Sequence, residues 1–157
     1  MAGTERVLRY VAFGVLMAFA AFGALFIVGE TMLDPGGAPG VLLTLSWSVP
    51  MAVLTFCAAR WPRAAAGVLT VVAVAVALFV VADALFGFRA GPAAFIAGFA
   101  VAVPLGVLGL RRPVRAGWLL LAVGTLLTAS GAVTVGIPVL VGGGIFLLAA
   151  ASGRPRG

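Results

Sequence analysis

A chain of 157 residues that is 64% hydrophobic and 9% charged, with a mean hydropathy of +1.27, falls far short of the roughly 25% charge of a soluble domain; it reads as an all-α integral membrane protein. The net charge of +6 comes from arginines clustered between apolar runs, which leaves no basic face or tail for a phosphate backbone and argues against nucleic-acid binding. The absence of histidine and the single cysteine, Cys57, exclude an intrachain disulfide and leave no nitrogen–sulfur ligand set for zinc or copper, so no cofactor is expected.

The first predicted span covers 7–29, behind Arg6 and Arg9. Ala18-Phe19-Ala20 has the form of a signal-cleavage site, but apolar residues continue through Phe22, Leu25, Phe26, Ile27 and Val28. A removed signal would end its apolar run there, so the segment is expected to be retained. Next comes GETMLDPGGAPG, residues 29–40, the one long interruption of apolar sequence. Asp34-Pro35-Gly36-Gly37 is turn chemistry, and the stretch is expected to be the outer turn of a first helical hairpin.

The remaining spans are predicted at 41–60, 65–87, 92–110, 114–130 and 133–151. Arginine clusters at Arg6/Arg9, Arg60/Arg63, Arg111/Arg112/Arg115 and Arg154/Arg156 set this division. Successive clusters lie about 40 to 50 residues apart, and a crossing of the hydrocarbon layer takes about 20. Each interval therefore holds two crossings and a turn. The result is six transmembrane helices in three hairpins, with every cluster on one side. The positive-inside rule makes that side, and both termini, cytoplasmic. Arg89 alone falls outside, together with Glu30, Asp34 and Asp83. Tyr10, Trp61 and Trp118 sit beside the arginine clusters, where amphipathic rings favour the headgroup layer; Trp47 lies deeper.

The last hairpin is short, with its turn expected near Ala129-Ser130-Gly131. Pro138 and Gly142-Gly143-Gly144 interrupt the sixth span, so a broken or re-entrant helix competes with a full crossing. A weak internal repeat relates residues 48–69 to 102–120: each runs Val-Pro, apolar residues, an Arg-Pro or Arg-x-Pro turn, then Ala-Gly and more apolar residues. Such segments would be parallel repeats about the membrane normal.

Three groups of residues could carry function. Glu30, Asp34 and Asp83 would share the outer face and could hold a hard cation; the alternative is that they mark helix ends and turns. Thr44 and Ser48 share a helix face beside Trp47 and could line a solute path, or act as glue between helices around Pro50. Ala94, Gly98, Ala102 and Gly106 form a small-residue stripe for close helix packing, within this chain or against a second copy or membrane partner. No charged residue falls near the bilayer centre, which argues against an ion-coupled pump. Without histidine or lysine no convincing general base exists, so an enzyme is not expected. Cys57 has no base beside it and is read as packing.

The composition, all-arginine basic set and Ala/Gly/Val richness point to a GC-rich bacterial genome. The expectation is a small non-enzymatic multi-pass protein of the bacterial cytoplasmic membrane, embedded in the lipid bilayer as a structural, regulatory or accessory component. The alternative is a small transporter or channel subunit for a small or apolar solute.

Overall fold

The computed structural model describes residues 2–34, 36–86 and 91–153. These form six helices: α1 (Ala2–Leu33), α2 (Gly37–Arg60), α3 (Pro62–Phe86), α4 (Gly91–Arg111), α5 (Pro113–Ala129) and α6 (Val133–Ser152). Within the described residues, four helical stretches are long and apolar enough to cross a membrane: Gly3–Leu33, Gly37–Arg60, Pro62–Asp83 and Val133–Ser152. Ile96–Arg111 and Pro113–Ala129 are shorter apolar helices. The expected positions Arg89, Arg154 and Arg156 lie outside the described residues.

Helix α1 is longer than expected. It runs 32 residues, about 48 Å at 1.5 Å per residue, so it outreaches a hydrocarbon layer of about 30 Å. Arg9 and Glu30 bracket its uncharged stretch, roughly 31 Å apart by the same rise. Glu30 lies inside the helix, and the turn expected over 29–40 shrinks to a few residues after Leu33. Its end is closed by backbone bonds from Asp34 N–H to Glu30 O (2.9 Å) and Gly36 N–H to Thr31 O (3.1 Å). Gly36 stands at φ 64, a left-handed conformation that glycine adopts without a Cβ penalty.

The two Arg-Pro turns share one geometry. Trp61 (φ −130, ψ 68) separates α2 from α3, and Arg112 (φ −136, ψ 67) separates α4 from α5. In each the single linking residue precedes a proline that opens the next helix. Proline drives its predecessor out of the helical region and is itself pre-set for a first helical turn. The hydrogen bonds correspond too: Trp61 N–H to Cys57 O (2.8 Å) and Ala65 N–H to Trp61 O (2.9 Å), against Arg112 N–H to Leu108 O (2.8 Å) and Ala116 N–H to Arg112 O (3.1 Å). The weak repeat in the sequence thus coincides with a repeated turn.

The α5–α6 turn is a Schellman closure. Ala132 N–H bonds Leu127 O (2.9 Å), Gly131 N–H bonds Thr128 O (3.2 Å), and Gly131 takes φ 90, the left-handed residue this motif requires. The sixth span forms one continuous helix, and the competing broken-helix reading does not hold. Helix α6 runs unbroken through Pro138 and the three glycines. Pro138 falls in the second turn, where it forfeits one backbone bond. Gly142 and Gly143 are buried against neighbouring helices, which hold the backbone that the missing side chains leave bare.

Helix α4 is the centre of the bundle and packs on all five other helices. Most of its residues from Gly98 to Gly109 are buried. The contacts are made by large side chains set against glycines. A Cβ at Gly109 would overlap the Phe146 ring, and one at Gly23 would overlap the Phe99 ring, which also stacks on Phe19 at 5.0 Å between centroids. In α5 and α6 the backbones themselves meet: a Cβ on Gly143 would lie 3.0 Å from Gly117 O, and one on Gly124 would lie 3.1 Å from Gly136 O. Close van der Waals approach of this kind is what holds helices together where lipid removes the hydrophobic drive between them. The outward faces of α1, α2 and α3 remain apolar and exposed, with Phe22, Leu25, Leu42, Phe56, Val71 and Leu78 among them.

Candidate functional site

Two places bring polar groups of different helices together. One joins α1 to α2 near the first turn. Thr31, buried at 7% exposure, places its hydroxyl 3.0 Å from Ile27 O and 3.1 Å from Val28 O. The same oxygen lies 3.1 Å from Thr44 Oγ1. Either hydroxyl can be the donor across the interface. Gly40 of α2 lies so close to Thr31 O that a Cβ there would overlap it.

One turn further, Trp47 is buried at 6% exposure, and its indole Nε1–H has no hydrogen-bond partner among the described residues. Ser48 is half-buried, whereas Ser46 is exposed and bonds Leu43 O at 2.7 Å. Thr44 is half-buried like Ser48. Thr31, which engages Thr44, was not recognised from sequence. Its only signal was a position on the far side of the turn at a comparable distance from it.

Glu30 and Asp34 are exposed and Asp83 is half-buried. Among the described residues no three His, Cys, Asp or Glu side chains group closely enough to hold a metal ion, so Glu30, Asp34 and Asp83 do not form such a group.

The small-residue stripe of α4 faces other helices of the same chain. A Cβ on Gly98 would lie 2.9 Å from Leu127 Cδ1 and 3.0 Å from Val135 Cγ1, touching α5 and α6. One on Gly106 would lie 3.3 Å from Leu16 Cδ1 and 3.5 Å from Met17 Cε, touching α1. Ala102 between them is buried; the Ala94 side chain lies outside the described residues.

The second polar place is the arginine-bearing end of α1. Arg9 donates through Nη1 to Leu110 O at 3.2 Å, and its Nη2 pairs with Glu5 one turn earlier. The guanidinium thus meets the carbonyl end of α4, where the helix dipole favours a cation. Its Nε is buried and has no partner among the described residues. Glu5 in turn lies against Gly153 at the end of α6. Glu5, Arg6, Arg9, Tyr10 and Leu110 line a cleft of about 290 Å³. The Glu5–Arg9 spacing of four was visible in the sequence; the carbonyl that completes it comes from 101 residues away.

A smaller apolar cavity of about 140 Å³ lies between α2 and α3, lined by residues that include Leu54, Cys57, Trp61, Val68 and Leu69. Cys57 is half-buried there among apolar side chains, with the Arg60 guanidinium 5.9 Å from the Trp61 ring centroid beside it. Comparison with protein-family models, with curated proteins and with solved structures finds no match to this chain.

Proposed function

We propose that this chain is a six-span protein of the bacterial cytoplasmic membrane, built as three helical hairpins with both termini inside, and that it acts as a non-enzymatic structural, regulatory or accessory component. The observation that carries this reading is the meeting of Arg9, Glu5, Leu110 and Gly153 at one end of the bundle. It draws the start of α1 and the ends of α4 and α6 together, beside Arg111 and Arg112. Basic residues gathered at one end are what the positive-inside rule requires of the cytoplasmic side. The glycine-mediated packing of α4, α5 and α6 supports a rigid scaffold, and the exposed apolar faces of α1 to α3 fit contact with lipid.

The alternative of a small transporter or channel subunit rests on one feature, the buried and unpartnered indole N–H of Trp47. A buried donor of this kind favours a polar guest or water beside it. Thr44, its neighbour on the presumed path, is already engaged by Thr31, which favours the packing role.

Reporter fusions after Gly36, Pro62, Ala90, Pro113, Gly131 and Gly157 test the topology. The expected signals alternate outside and inside, beginning outside after Gly36. An inside signal after Gly131 would overturn the six-span arrangement while leaving the first four spans intact.

A further inference from the structure

We propose that the cleft at the arginine-bearing end of α1 is a binding site for the phosphate headgroup of an anionic phospholipid of the inner leaflet; this rests on the membrane orientation proposed above. Arg9 is held in place by Glu5 and Leu110 O, so its guanidinium is oriented before any ligand arrives. Arg6 lines the same cleft, is exposed, and has no ion-pair partner among the described residues. Glu5 offsets one of the two charges and leaves Arg6 as the group available to a phosphate. Arg111 and Arg112 follow directly on Leu110 and add to the positive field at the mouth.

The surroundings favour a lipid over a free anion. Tyr10 lines the cleft at 61% exposure, an amphipathic ring at the level where such rings meet headgroups. Below it, Gly14 and Ala18 follow at helical spacing on the same face, both exposed, and the space beside Gly14 is open. Val11 and Val15 flank this shallow track and are exposed as well. An acyl chain can lie along it while the headgroup sits among the arginines. At about 290 Å³ the cleft falls just below the roughly 300–1,000 Å³ range of ligand pockets, which suits a headgroup better than a large solute. Basic pockets on the cytoplasmic side of helix bundles bind anionic headgroups by this combination of charge and depth.

The test is native mass spectrometry of the full chain in detergent micelles, titrated with dioleoyl-phosphatidylglycerol, with dioleoyl-phosphatidylcholine, or with phosphatidylglycerol in the presence of inorganic phosphate. The expected result is preferential retention of phosphatidylglycerol, unaffected by phosphate. Arg6→Gln should weaken it about fivefold, and Arg6→Lys should retain most of it. Because Arg6 is exposed, both variants should keep the helical circular dichroism of the parent. Equal retention of the two lipids, or undiminished phosphatidylglycerol binding by folded Arg6→Gln, would overturn the site. Displacement by inorganic phosphate would overturn the lipid as its occupant. Micelles have no inside, so this result is independent of orientation. An outside reporter signal after Pro113 would remove the inner leaflet without touching the binding data.

Discussion

Leu16 of α1 occupies the space that a side chain on Gly142 of α6 would need: a Cβ there would lie 2.7 Å from Leu16 Cγ. Leu16 is itself fully buried and also rests against Gly106 of α4. One leucine therefore pins three helices through two glycines. Gly142→Ala is expected to destabilise the bundle by about 1–3 kcal/mol through overpacking, read as a loss of thermal stability in detergent. Leu16→Ala alone should cost about 2–5 kcal/mol. Combined, the two changes should cost less than their sum, because each relieves the other's misfit. Strict additivity would count against the contact.

Gly136 is a harder case. A Cβ there would collide with Thr128 Oγ1, and would lie 2.7 Å from Thr128 N and 2.9 Å from Gly124 O. Backbone atoms cannot rotate away, so Gly136→Ala must push α5 and α6 apart. The expected loss exceeds that of Gly142→Ala. Gly67 in α3 has nothing within 4 Å of the same imagined atom. Gly67→Ala should be neutral or stabilising by about 0.5–1 kcal/mol, the helical penalty of glycine. Thermal unfolding of the two variants side by side checks the contrast, and equal effects would remove the close-approach account of α5 and α6.

Much of this fold was legible because its punctuation is chemical. Arginine, proline and glycine mark the helix ends, and residues 60–62 and 111–113 show their turns on inspection. The first turn was misjudged because Glu30 was taken as the end of a helix. A single carboxylate does not stop helix propagation, and Thr31 to Leu33 continue it. The span of α6 was expected over 133–151, but why its glycines do not break it was not readable. Its glycines are breakers in isolation, yet Leu16, Gly117 and Leu120 pack against them. Which glycine meets which helix is a long-range fact that no local pattern carries. The polar cleft was missed altogether: the Glu5–Arg9 spacing of four is its one local signal, and Leu110 has none.

The Thr31–Thr44 bond links α1 and α2 near their shared turn. Thr44→Val removes the hydroxyl that bonds Thr31 across the interface, while Thr31 can still bond Ile27 O and Val28 O. No buried group is left unsatisfied, so the loss should be about 0.6 kcal/mol, the average for such bonds between membrane helices. Thr31→Val should cost a similar amount. Unfolding of the two single variants and the double variant reads the coupling. If Thr44 lines a solute path, its loss would change flux through reconstituted vesicles with no such coupling to Thr31.

Arg9 makes two different bonds with one guanidinium, and salt should separate them. Its ion pair with Glu5 is partly exposed, with 28% and 24% of the two side chains accessible, so its worth is about 0–1 kcal/mol. Glu5→Gln should therefore lose little, and that loss should fade as the Debye length falls from about 10 Å at 0.1 M salt to about 3 Å at 1 M. Arg9→Gln also leaves Leu110 O without its donor at the negative end of α4, a contribution of up to about 1 kcal/mol on top of the ion pair. The Arg9 variant should be the less stable of the two, and the part of its deficit that comes from the Leu110 O hydrogen bond should persist at high salt. Thermal unfolding at low and high ionic strength measures both. Identical losses that vanish together in salt would mean that Arg9 serves Glu5 alone and does not tie α1 to α4.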